Sequence, residues 1–211
     1  QSMLKINKLP SWDNWLGTDQ FGRDVLSRMI YGSRNSLLFG FISPVLAAIF
    51  GTLLGVVAGY FGGAIDAFLM RAADVQLTFP AFLVALTLDG VVRGMVAAKI
   101  LDIDHNDIAV PVIVISLGLA FWPQYARTVR GSTLVERNKE YVQAARVTGV
   151  SPLRIMRRHV LPNVMGPVMV LATIQVATAI ITEATLSFLG VGVPPTSPSL
   201  GTLIRVGNDY I

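Results

Sequence analysis

Few residues in this chain of 211 are of types that do chemistry, and their spacing limits what they can do. There is no cysteine, which excludes thiol nucleophiles, disulfides and cysteine-ligated zinc or iron–sulfur centres. The two histidines, His105 and His159, form no His-Glu-x-x-His pair, and no Gly-x-Ser-x-Gly elbow occurs. The lysines are Lys5, Lys8, Lys99 and Lys139; none follows a glycine, so these residues hold no phosphate-cradling Gly-x-x-x-x-Gly-Lys-Ser/Thr loop. Two acidic features remain. His105 stands amid Asp102, Asp104 and Asp107, a set of metal-ligand types that reads better as a solvated charged loop, so no metal site is assigned. Glu183 ends a long uncharged run, where a carboxylate either lines a pathway or sits exposed at a membrane interface. The chain therefore reads as non-catalytic.

The elements that would position these residues are apolar. Hydrophobic residues make up 53% and charged residues 14%, against roughly a quarter charged in soluble domains. Such a chain cannot cover a globular surface with polar groups, and its net charge of +4 points to membrane topology before nucleic acid. A bilayer core of about 30 Å needs roughly 20 apolar residues in a helix. Four spans meet or approach that length: 36–62, 64–88, 108–130 and 160–183. In the first, Ser43, Ala47, Gly51, Gly55, Gly59 and Gly63 recur every four residues, a smooth stripe for close approach of another helix. The second carries Asp66, Arg71 and Asp74 near one interface, with Arg71 and Asp74 spaced to pair, and Pro80 is expected to kink it. Residues 89–107 read as an extramembrane loop. The polar ends, 1–35 and Asn208-Asp209-Tyr210-Ile211, suggest a fragment of a longer membrane protein.

Between the third and fourth spans, 127–159 holds Arg127, Arg130, Arg137, Lys139, Arg146, Arg154, Arg157 and Arg158 against only Glu136 and Glu140. The positive-inside rule places this loop in the cytoplasm and 1–35 outside, although five basic residues in 1–35 run against that. Within the loop, Asn138 is expected to cap a helix that Gly149 ends. Ser151-Pro152 starts a second helix that Leu161-Pro162 closes. The pair of short helices suits either a docked partner or an anionic lipid surface.

The run Tyr141-Val142-Gln143-Ala144-Ala145-Arg146-Val147-Thr148-Gly149, followed by Leu161-Pro162, resembles the EAA loop of ABC-importer permeases. Ala144, Ala145, Gly149, Leu161 and Pro162 match in register, while Gln143 replaces the motif's glutamate and His159 its isoleucine. Leu16-Gly17-Thr18-Asp19-Gln20-Phe21-Gly22-Arg23-Asp24, Gly59-Tyr60-Phe61-Gly62-Gly63 and Glu183-Ala184-Thr185-Leu186-Ser187-Phe188-Leu189-Gly190 are similar to stretches of its dipeptide/oligopeptide/nickel branch, in the second, C-type inner-membrane subunit. The resemblance implies an all-α polytopic bundle of the type I importer kind, the four spans standing for the second to fifth of six. It implies that 36–211 form the transmembrane domain and that loop 127–159 couples it to an ATPase. The contact would fall on Gln143, Ala144, Ala145, Gly149, Leu161 and Pro162; Ala47, Gly51, Gly55, Gly59 and Gly63 would pack helices, and Glu183 would line the pathway. Implied partners are a second permease subunit, two ABC ATPase subunits that bind the ATP and magnesium, an extracytoplasmic substrate-binding protein and the lipid bilayer. No cofactor is expected on this chain and no nucleic acid. Peptides, with nickel as the alternative, would be the cargo, in a bacterial or archaeal cytoplasmic membrane.

Overall fold

A computed structural model describes residues 6–98, 105–192 and 198–208, with only the backbone for 105–109. Residues 6–24 are turns and irregular backbone with one isolated antiparallel bridge between Thr18 and Asp24, and from Val25 on the described residues are mostly helical, joined by short turns. Helix α1 spans Val25–Phe61. It begins where Asp24 accepts from the backbone N–H and the hydroxyl of Ser27, at 2.8 and 2.6 Å, which caps the first turn. The charge-free run predicted the membrane segment from 36, but the helix starts eleven residues earlier because the cap lies at Asp24. Its 37 residues extend about 55 Å, well beyond a bilayer core. It stops at Gly62 and Gly63, with φ of +69° and +56°, the left-handed region that glycine enters without a Cβ penalty.

The expected second span is not one helix. Helix α2 covers Gly63–Leu77 and α3 covers Ala81–Ala97, and their axes bend by 93° across Thr78–Pro80. Pro80 cannot donate a backbone N–H and forces the residue before it out of the helical region, so a continuous helix fails there. The supposed loop 89–107 is also corrected: α3 carries it in helix to Ala97, and α4, His105–Glu136, resumes it. Helices α5 (Glu140–Val147) and α6 (Pro152–Ile155) follow. Leu161-Pro162 does not close the second short helix. A π-helical turn, Met156–Val160, joins α6 to α7 (Leu161–Phe188), so the chain stays helical from Pro152 to Phe188. Proline fits because it sits at the start of α7, where a missing N–H costs least. Helix α8, Leu200–Asn208, folds back onto the bundle.

Among the described residues three helical stretches, Val25–Phe61, Val110–Glu136 and Pro152–Phe188, are long and apolar enough to cross a membrane, and the bent α2–α3 pair makes a fourth if it counts as one span. The core lies between α1, α4 and α7, around Leu117, Phe121, Tyr125, Val129, Val160 and Val164. The small residues of α1 face α4. A Cβ on Gly51 would lie 2.5 Å from the Trp122 carbonyl oxygen, one on Gly55 2.6 Å from that of Ala126, and one on Gly59 2.7 Å from the Thr133 Cβ. Ala47 is fully buried in the same seam. Gly63 takes no part, because the helix breaks one residue earlier and a Cβ placed on it would meet nothing within 4 Å.

Candidate functional site

The basic loop between α4 and α7 folds as a helix, a glycine turn and a second helix. Lys139, not Asn138, occupies the N-cap of α5. The Asn138 amide donates instead to the Leu134 carbonyl at 3.0 Å, and its own carbonyl accepts from the Gln143 amide at 3.0 Å. Gly149 ends the helix with φ of +78°; its N–H reaches the Arg146 carbonyl and the Val150 N–H reaches that of Ala145, both at 3.0 Å. That is a Schellman ending, which needs a left-handed residue at Gly149. Ser151 and Pro152 then begin α6.

One side of this unit is anchored. Val142, Ile155, Met156 and Val160 are buried in the main core, and Ala145 and Leu161 pack against it half-buried. Glu136, buried at the end of α4, accepts from the Tyr141 hydroxyl and pairs with Lys139 at 2.7 Å. The Tyr141 oxygen in turn accepts from the Asn163 amide of α7 at 3.1 Å. Arg146 lies 4.8 Å over the Tyr60 ring, and Arg137 donates to the Gly59 carbonyl at 2.8 Å. These contacts tie the loop to the ends of α1, α4 and α7 together.

The other side is bare. Val147 is 88% and Leu153 72% exposed, one on each side of the Gly149 turn, and Gln143, Ala144, Gly149 and Pro162 are exposed beside them. Arg154, Arg157 and Arg158 border the same face with Ser151, Leu153 and Pro162, around an open groove of about 880 Å³. Of the six predicted contact residues, four are therefore on the surface, whereas Ala145 and Leu161 lean inward and set its position. The sequence groups Val147 with Tyr141, Val142, Ala144 and Ala145 in one apolar surface and Leu153 with Ile155 and Met156, whereas the structure buries Val142, Ile155 and Met156 and bares Val147 and Leu153. Their signal was an apolar residue two positions before the glycine and another four after it, each out of phase with the buried positions.

At the opposite end of α7, Glu183 is wholly buried. It accepts from Ser36 of α1 at 3.1 Å and from Ser187 at 2.6 Å. It is thus not an exposed interfacial carboxylate, nor does it line an open surface of this chain. Arg93 of α3 pairs with Asp89 at 2.7 Å and donates to the carbonyls of Val191 and Gly192 at 3.0 and 3.1 Å. Asp74 pairs with Arg127 at 3.4 Å rather than with Arg71. Asp66 meets Arg130 through two bonds, 2.5 and 2.6 Å. Ahead of α1, Asp19 accepts from the N–H groups of Phe21 and Arg23, both at 2.9 Å, and pairs with Arg28 at 2.5 Å and Arg23 at 2.9 Å. Burial opposes its charge, but those donors outweigh burial and hold its carboxyl below the usual range. The considered metal group, Asp102, Asp104, His105 and Asp107, falls outside the described residues, His105 and Asp107 being described in backbone alone.

Residues 51–208 match the family described as "Binding-protein-dependent transport system inner membrane component". A putative peptide transport system permease protein of Brucella suis is 40% identical over 201 residues, covering 95% of this chain and 63% of that protein. A dipeptide transport system permease protein of Haemophilus influenzae is 38% identical, covering 93% of this chain and 62% of the relative. An oligopeptide transport system permease protein of Bacillus subtilis is 36% identical, covering 98% and 63%. The chain thus spans less than two thirds of the length of these relatives.

Proposed function

The chain belongs to the family of binding-protein-dependent transport system inner membrane components, and from that premise we propose that it serves as a multi-pass permease subunit of an ATP-driven peptide importer, coupled to its ATPase through residues 138–162. The carrying observation is the pair of bared apolar side chains, Val147 and Leu153, on either side of a glycine turn whose opposite face is anchored in the core. Burying a residue of this size in a partner's groove contributes about 1.5–3 kcal/mol, so the two would supply much of a contact. Close approach at Gly149 suits the same role, since no atom lies within 4 Å of its missing Cβ.

The mechanism we infer is mechanical. ATP is bound and hydrolysed by partner subunits, and this chain receives their movement. The helical run from Pro152 to Phe188 begins at the docking face and passes Glu183 about 45 Å along its length. A displacement at α6 therefore reaches the far side of the membrane through one helical run, with the π-helical turn and the interior Pro167 as its irregular joints. A second permease subunit completes the pathway, and an extracytoplasmic binding protein supplies cargo. Peptide rather than nickel is the proposed cargo, supported by the peptide-named relatives.

The test is ATP hydrolysis by the reconstituted full-length complex, comparing wild type with Gly149→Asp. Assembly with loss of peptide-stimulated hydrolysis is expected, because the new carboxylate stands in the docking turn. Unchanged stimulation would move the lipid-surface reading of the arginine face ahead.

A further inference from the structure

Helix α8 is held by contacts that converge on a single buried carboxylate. The Leu200 N–H, at the first turn of α8, donates to the Ser36 hydroxyl at 3.2 Å, and that hydroxyl donates its one proton to Glu183 at 3.1 Å. Ser187 occupies the other Glu183 oxygen. One residue earlier on α1, Asn35 donates to the Pro198 carbonyl at 2.9 Å. The fit around this chain of bonds is tight. A Cβ on Gly201 would lie 2.4 Å from the Ala184 carbonyl oxygen, and one on Gly32 3.2 Å from the Ser199 carbonyl carbon and 3.3 Å from Leu203. Ser199 and Thr202 cap each other, which closes the first turn of α8 from within.

The geometry points to Glu183 as a positioning residue that, through Ser36, latches α8 across the extracytoplasmic end of the bundle. The sidedness rests on the importer reading: Arg137 ties the far end of α1 to the docking loop, and Ser36 is 23 residues, roughly 35 Å, away from Gly59 along that helix. A carboxylate with no solvent is costly unless its lone pairs are filled. Here the fillers come from two helices, and one of them also carries the tie to a third. Releasing α8 leaves Ser36 short of a donor and Glu183 less constrained, so the seat and α8 are coupled. Because Glu183 lies on the same helical run as Leu153, motion of that run at the docking face shifts the seat of α8 directly. The latch therefore couples opening of the outer end to the ATPase side, without contact between Glu183 and cargo.

These 211 residues hold no cysteine, so in a full-length system cleared of any cysteine elsewhere Leu203→Cys provides a single thiol on the half-buried side of α8, facing Gly32. Ile204→Cys, on the exposed side, provides the control. In membranes carrying the complete full-length system, a water-soluble maleimide should label the Leu203→Cys thiol slowly and the Ile204→Cys thiol quickly. Adding Ser36→Ala or Glu183→Ala should speed labelling of the inner thiol by about tenfold, the expected weight of one buried hydrogen bond, and leave the outer one unchanged. Both should also raise ATP hydrolysis in the absence of peptide. Glu183→Gln, which retains an acceptor for one serine and a donor for the other, should restore slow labelling. Unchanged labelling of the inner thiol in the presence of Ser36→Ala would overturn the latch. That variant removes one oxygen, so it decides the matter even if Glu183→Ala fails to accumulate. Failure of the importer reading would look different: no stimulation of the wild type by any peptide, with the labelling contrast intact.

Discussion

Gly149 and Asp19 show how much one position can carry. At Gly149 the obstacle to a side chain is backbone conformation, since φ is +78° and the space around the Cβ position is open. Gly149→Ala should therefore cost about 1–2 kcal/mol in thermal unfolding of the detergent-solubilised complex while leaving docking intact. Gly149→Asp carries less backbone strain, because Asp tolerates the left-handed region better, but adds a charge and should abolish coupling; coupling losses that track the loss of stability in the two variants would mean strain alone is at work. Asp19 makes a pH prediction. Its folded pKa lies below the unfolded value of 3.8, so its stabilisation is complete above that value and is lost as pH falls through the folded one. Hydrogen exchange at Phe21 and Arg23, corrected for intrinsic rate, should rise below about pH 4, and Asp19→Asn should remove that dependence. In the sequence, Gln143, Ala144 and Gly149 stood out because they share one short motif. The Glu136–Tyr141–Asn163 ties did not, because their partners are spread over 27 positions and meet only when α4, α5 and α7 pack.

Among the elements, α1 was the most readable and α2–α3 the least. A four-residue spacing of small residues places them on one face whatever else the protein does. The seam with α4 follows from that face, and so does a contrast between glycines. Gly55→Val should destabilise the chain by about 1–3 kcal/mol, since its Cβ falls 2.6 Å from a backbone oxygen and 2.8 Å from Val129. Gly94→Ala in α3 meets nothing within 4 Å and should be neutral or stabilise by up to about 1 kcal/mol. Thermal melts of the purified chain check both; equal effects would remove the seam from the account. The second span misled because hydropathy runs on through Pro80 while the helix axis does not. Proline marks where a helix stops but not the 93° by which the next one turns, which depends on how α3 packs on α4. Helix α8 lay in a stretch after Glu183 to which the sequence assigned no element, because its nine residues gain their seat from α1 and α7.

For the whole molecule, the all-α fold and the family were legible in the sequence, because a lack of charge over spans and several ordered motifs carry both. The continuity of Pro152–Phe188 was not, since Pro162 reads locally as a stop and is tolerated only at the start of α7. That continuity makes one rod of the docking face and the outer latch, so a change at either end should be felt at the other. The most direct test of this account is peptide-stimulated ATP hydrolysis by the reconstituted full-length complex carrying Leu153→Asp. Leu153 is 72% exposed, so the chain itself should fold and join its membrane partner. The account predicts that the ATPase subunits no longer co-purify at wild-type yield and that stimulation by peptide falls at least tenfold, the weight of one large apolar side chain at a docked surface. Full stimulation and full co-purification with Leu153→Asp would contradict the assignment of 138–162 as the coupling surface.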